Sequence, residues 1–274
     1  MRATPETGAA RQRSGRVTWP RVLSSEWGKL WTLRSTAVVY GAAASLMLAF
    51  GLAAVAVSGM DTGSGAPPPE LFADPTHLTL SGVALAQLPV ALAGVLFVTG
   101  EFATGHIRST LLAVPRRIPV LTAKAVVLFS ATVAVTVPVA ALCFFAARPM
   151  LEEALGFAWP VDGHVVRALF GAGLYLGAIG VMGLGVGALV RSTAVGITVM
   201  VGVLYLVPML SALLPSGWDE KASVFMPTTL GSKIMEFPLP DSPITPANGF
   251  MLFCCYVALV FLPAIASFKR GDVN

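Results

Sequence analysis

Residues 36–60 run for 25 positions without one charged side chain. A helix rises about 1.5 Å per residue, so this run exceeds the roughly 20 residues needed to cross about 30 Å of hydrocarbon. Five more apolar runs follow, at 80–100, 119–147, 165–190, 193–214 and 248–268. The only charges inside them are Lys124 and Arg167, each near the start of its run. The expected fold is an all-α integral membrane protein with six transmembrane helices, which places both termini on one side. Composition agrees: 12% of residues are charged and mean hydropathy is +0.78, against roughly 25% charged in a soluble domain. A cytosolic globular enzyme could not cover its surface with so few charges. The 27 Gly and 20 Pro fit helices in lipid, which tolerate both.

The distribution of charge sets the orientation. Fourteen of the 18 Lys and Arg fall in the N-terminal segment, the 2–3 connection with its flank, the 4–5 turn and the C-terminal tail. Ten of the 14 acidic residues fall on the other side. Basic loops stay in the cytoplasm, so both termini are expected there. The net charge of +4 follows from this asymmetry, and no nucleic-acid partner is expected. Lys124 and Arg167 sit close enough to span ends for their heads to snorkel to the interface.

Residues 1–16 are polar and basic and read as a disordered cytoplasmic tail, as 269–274 read as a second tail. Residues 17–35 differ. Val22, Leu23, Trp27, Leu30 and Trp31 recur at helical spacing, with Arg21, Glu26, Lys29 and Arg34 mostly between them. This pattern predicts an amphipathic helix in the membrane interface, with Trp27 and Trp31 on its apolar face and Lys29 on its polar face. The basic leader is too long for a cleavable signal, so the first span reads as an uncleaved anchor. Between spans 5 and 6, residues 215–247 mix apolar residues with Pro and Gly, which predicts short helices dipping toward the outer leaflet. Cys143, Cys254 and Cys255 lie in apolar runs and read as small buried hydrophobes.

Several chemistries are missing. Gly100 and Gly105 have the first spacing of a phosphate-binding loop, but His106 and Ile107 stand where Lys and Ser/Thr are required. No ATPase activity, cofactor or metal site is expected in this chain. His77, His106 and His164 fall in two outer loops and one inner loop, and no span sets a Ser within one helical turn of a His or Lys, as an intramembrane hydrolase would need. The spans carry no ionisable residue in their central halves, which argues against ion-coupled transport. Gln87, followed by Pro89, is the one strong polar group in mid-span; it reads as an inter-helix hydrogen bond or a pathway contact. Gly173/Gly177 and Gly183/Gly187 form two G-x-x-x-G pairs in span 4. They permit close backbone approach to a helix of the same chain or of a second copy. Pro138, Pro208 and Pro263 are expected to bend spans 3, 5 and 6.

The 2–3 connection runs GEFATGHIRSTLLAVPRR from Gly100 to Arg117. Its pattern predicts a short helix over 104–113, stopped by Pro115. The segment resembles the E-x-x-x-G-T-I-R-x-T-L stretch of permease subunits of bacterial ATP-binding-cassette transporters, of the type-2 exporter family, with His106 in place of the usual Thr. Met226-Pro227-Thr228-Thr229-Leu230-Gly231 resembles a motif that precedes span 6 in that family. The resemblance implies a multi-pass protein of the bacterial plasma membrane that is not itself an enzyme. It implies pairing with a second permease copy and docking on a separate ATPase subunit. The docking elements would be the 17–35 helix and the 2–3 loop, through Glu101, Thr104, Gly105, His106, Arg108, Arg116 and Arg117. Glu101 and Arg108 would help hold the loop helix. A membrane scaffold or sensor subunit, recruiting a cytoplasmic partner without transport, is the alternative.

Overall fold

A computed structural model describes residues 19–32, 34–60, 74–103, 118–155, 158–211, 213, 223–237 and 244–270. The chain is all-α, and no strand occurs among the described residues. A helix, α1 (Trp19–Thr32), precedes the first long helix, α2 (Arg34–Met60). A short helix, α3 (Pro75–Thr79), leads into α4 (Val83–Ala103). Then come α5 (Ile118–Leu155) and α6 (Gly163–Val190). The helix α7 spans Thr193–Ser211, with a π turn at Gly202–Leu206. A one-turn helix, α8 (Pro227–Ser232), extended by the 3₁₀ turn Lys233–Met235, precedes α9 (Pro246–Arg270). Six of these helices, α2, α4, α5, α6, α7 and α9, are long and apolar enough to cross a membrane.

The helix ends differ from the apolar runs where polar chemistry intervenes. The third apolar run stops at 147, yet α5 continues to Leu155, and Arg148 Nε donates to Glu152 Oε1 at 2.7 Å one turn on. A helix satisfies its own backbone wherever it runs, so a change from apolar to charged side chains does not end it. The 4–5 turn is as tight as its spacing predicts. Arg191 caps α6 in the left-handed region, with φ 52°, and Ser192 follows directly before α7. Pro138 and Pro263 lie inside α5 and α9. The π turn of α7 comes just before Pro208, whose missing N–H leaves the Leu204 carbonyl without its α-helical donor.

The helix α6 is the hub. It packs on α4, α5 and α9, while α2 lies across α4 and α5, and α7 flanks α4. Most of α6 is buried, whereas α2, α7 and α9 leave most of their apolar surface uncovered. The small-residue pairs of α6 are spent inside the chain. Gly183 and Gly187 face Ala91, Val95 and Val98 of α4, and Gly173 and Gly177 face Phe129, Val133 and Val137 of α5. A Cβ on Gly183 would meet the Ala91 carbonyl oxygen, and one on Gly94 would meet the Gly180 carbonyl oxygen. The two backbones are therefore in contact, which only glycine permits here.

Of the cysteines, Cys143 is buried among Met47 and Thr79 backbone atoms, but Cys254 and Cys255 are exposed on α9. The burial expected for those two is not found within the chain, because their face of α9 is one of the uncovered ones.

At the end opposite α1, Asp74 organises the connections. Its Oδ1 accepts from His77 N at 2.9 Å and caps α3, and its Oδ2 accepts from Phe237 N at 2.7 Å. Arg167 Nη2 donates to the Glu236 carbonyl at 2.8 Å and lies 2.9 Å from His164 Nδ1. That contact leaves the His164 ring proton on Nε2, which faces Asp74 Oδ1 at 3.3 Å. Arg167 thus pins the segment before α9 rather than snorkelling away.

A Gly183→Val substitution is expected to cost several kcal/mol, as overpacking with backbone displacement does. Gly41→Ala, with nothing within 4 Å, is expected to be neutral or to stabilise by up to about 1 kcal/mol. Unfolding titrations in mixed micelles check both.

Candidate coupling site

Three helix ends converge at the α1 end of the bundle, and each contributes charge. The face of α1 turned to the bundle is Val22, Glu26 and Leu30, spaced four apart. Leu30 packs with Phe97, Leu121, Ala125 and Leu128. This register carries Glu26 inward with its apolar neighbours, so the acid is not on the polar face expected for it. Trp19, Trp27 and Trp31 are left exposed, with the Trp27 and Trp31 rings 6.2 Å apart. An indole at a lipid–water boundary suits that position.

Glu26 meets Lys124, from the second turn of α5. Lys124 Nζ donates to Glu26 Oε2 at 2.6 Å and to Glu101 Oε1 at 2.8 Å. Lys29, one turn along α1, donates to Glu26 Oε1 at 2.7 Å and to Glu101 Oε1 at 3.1 Å. Two lysines and two glutamates therefore form a closed ring of four ion pairs with no net charge. Glu26 and Lys124 are each 2% exposed. Lys124 also lies 4.2 Å over the Phe97 ring, a cation–π contact. Its head, expected to reach the interface, ends on two carboxylates at the level of α1 and is shielded from water.

Burial should make such charges expensive. Desolvating two ions costs several kcal/mol each, and only good geometry with further hydrogen bonds offsets this. The ring supplies that geometry at three corners. The fourth is open: Glu101 Oε2 is buried with no hydrogen-bond partner among the described residues. Lys29 sits at the rim, its side chain 37% exposed. Burial opposes its charge, but the hydrogen bond to Glu26 and the charges of Glu101 and Glu26 outweigh that and hold its pKa above the ordinary lysine value. Its pairing is therefore intact at neutral pH and is lost only as pH rises through that raised value.

Glu101 is at the last turn of α4, next to Phe102, over which the Arg191 guanidinium lies at 5.8 Å. Thr193 Oγ1 donates to Thr99 Oγ1 at 2.8 Å. The end of α4 is thus tied to α1, α5 and the turn between α6 and α7. Of the residues singled out in the sequence, Glu101 and Lys29 meet here, and Trp27 and Trp31 sit on the outer side of the same helix. Gln87 lies far along α4 toward the other end, where its Oε1 accepts from the Tyr175 hydroxyl. Thr104, Gly105, His106, Arg108, Arg116 and Arg117 lie outside the described residues, as do residues 1–16. The ring includes two members that the sequence reading missed. Glu26 was one of only four acids on the basic side of the chain, and Lys124 was the only charge in its span. Together those two anomalies were the available signal.

No metal-type group of three or more His, Cys, Asp or Glu occurs among the described residues. The chemistry of the ring is mechanical. It locks three helix ends together electrostatically, and it lies on both sides of the 104–117 connection in sequence.

Lys124→Met leaves two buried carboxylates facing one rim lysine. It is expected to destabilise by about 3–5 kcal/mol, as breaking a buried pair does. Adding Glu26→Gln should recover part of the loss, with an interaction energy of roughly 0.5–3 kcal/mol. A double-mutant cycle measured by denaturant unfolding reads both.

Neither a known family model nor a curated protein matches this chain.

Proposed function

We propose that this chain is the permease subunit of an ATP-driven exporter. Two copies form the substrate path in the bacterial plasma membrane, and separate ATP-binding-cassette ATPase subunits dock beneath them. Docking uses the 104–117 segment and α1.

The observation that carries this reading is the buried ring. Glu101 stands three residues before the segment and Lys124 seven residues after it, and both bond to Glu26 of α1 or to a residue bonded to it. A push on the segment is therefore delivered to spans 2 and 3 and to α1 as one body. A subunit without a nucleotide site of its own needs such a lever if another subunit hydrolyses ATP. The resemblance of residues 101–111 to the exporter stretch supports the same assignment. The uncovered apolar faces of α7 and α9 leave room for a second copy as well as for lipid.

The test is co-expression with a candidate ATP-binding-cassette ATPase subunit, followed by purification in mild detergent. Two permease chains with two ATPases in one complex is the expected result. Scrambling residues 104–114 should abolish ATPase binding while leaving expression intact. Glu101→Gln should keep the complex but lower substrate-stimulated ATP hydrolysis by about tenfold, which corresponds to a coupling of ~1.4 kcal/mol. A folded chain that elutes alone at every nucleotide state would contradict the proposal and favour the scaffold reading.

A further inference from the structure

At the end of the bundle opposite the ring lies a cavity of about 320 Å³. Its walls come from four places: α3 and the start of α4, α6, and the α8 segment before α9. The volume is in the range of small-molecule sites and far exceeds what a single buried water needs.

The polar groups that converge on it are of one kind. Gln87 and Tyr175 are both buried and form the deep end, with the Tyr175 hydroxyl donating to Gln87 Oε1. One turn before Gln87, the Ala84 carbonyl accepts from the Tyr205 hydroxyl at 2.8 Å. Thr228, Thr229 and Ser232 supply hydroxyls from the α8 side. Among the described residues no carboxylate, lysine or arginine lines the space, and His77 and the Tyr175 phenol are its titratable groups. The remaining walls are apolar, with Leu80, Val83 and Met235 among them.

An amide and a set of hydroxyls can both donate and accept, and they offer no charge for a salt bridge. An ionic head group would lose its hydration here with nothing to replace it. An uncharged one carrying hydroxyl or amide groups would exchange its water for matched partners. The apolar walls and the exposed Ala84 beside Gln87 give the rest of such a molecule a hydrophobic exit. The roof is held in place: Arg167 bonds the Glu236 carbonyl and Asp74 accepts from Phe237 N, so the α8 segment is pinned over the space.

We infer that this cavity is a binding site for an uncharged amphiphile with a hydroxyl- or amide-bearing head group, held by Gln87, Tyr175 and the α8 hydroxyls. The site rests on the cavity alone. That its occupant is the transported cargo rests on the exporter reading.

The test uses the full chain, delipidated in detergent and titrated with 1-monooleoylglycerol, with bound molecules counted by native mass spectrometry. Oleate and oleoyl trimethylammonium serve as anionic and cationic probes of the same chain length. One saturable site for the glycerol ester is expected, with each charged probe at least about tenfold weaker. Gln87→Leu should weaken the ester by about tenfold, the size of one well-formed hydrogen bond. Thr228→Val with Thr229→Val, on half-buried positions, should weaken it several-fold even if Gln87→Leu fails to fold. Non-saturating uptake, equal binding of all three probes, or unchanged affinity in the Thr pair would overturn the site. A saturable site in a chain that never binds an ATPase would keep this inference and remove the exporter. Loss of the site in an intact ATPase complex would do the reverse.

Discussion

The pairing of Lys124 with two carboxylates is the constraint on which the α1 end of the molecule depends. A lysine one or two turns inside an apolar span has few choices. It can reach back to water, lose its proton, or find anions. Here it finds Glu26 at 2.6 Å and Glu101 at 2.8 Å, and each comes from a different helix. The position of α1 follows from that demand. Its Val22, Glu26 and Leu30 face is half hydrophobic contact and half ion pair. Turning the helix by one residue would expose Glu26 and strand Lys124. Charges here specify register more than they add stability, because a buried ion pair gains little over a well-packed apolar one.

The middle of the bundle is held differently. Hydrophobic burial gives little drive between helices already in lipid, so close packing must do the work. The glycines of α6 and Gly94 of α4 bring backbones into contact. Around them, side-chain hydrogen bonds are few and local. The Tyr40 and Thr132 hydroxyls hydrogen-bond at 2.8 Å between α2 and α5, and Tyr175 donates to Gln87 between α6 and α4. The rigid hub of α4, α5 and α6 thus connects the charged ring at one end to the polar cavity at the other. The helix α4 carries a residue of each, Glu101 and Gln87.

How much of this could be read from the chain depends on the kind of signal. The six spans were legible because apolar length is a one-dimensional property, and charge-free runs such as 36–60 and 193–214 admit no other reading. The tight turn at Arg191-Ser192 was legible because no polar residues separate spans 4 and 5 beyond it. The partner of the glycine pairs was not legible, since spacing shows that a helix can approach closely but not which helix arrives. The ring was half legible. Glu101 stood out at a membrane exit, but its partners lie 72 residues before it and 23 after it. Periodicity placed Glu26 on a polar face because it weighs each helix alone, whereas the register of α1 is set by a lysine nearly 100 residues away. The inter-helix hydrogen bond expected of Gln87 is found, but its partner Tyr175 and the walls that α3, α6 and α8 set around it were not legible from one span.

The most direct measurement of the central claim is hydrogen exchange of the α1 amides in nanodiscs, in the wild-type chain and in Lys124→Met. If the ring holds α1 to the ends of α4 and α5, wild-type residues 22–32 exchange slowly, at rates close to those of the first turns of α5. In the variant, α1 then loses protection while the α6 core keeps its own. Free exchange of α1 in the wild-type chain, or protection unchanged in the variant, would contradict the account.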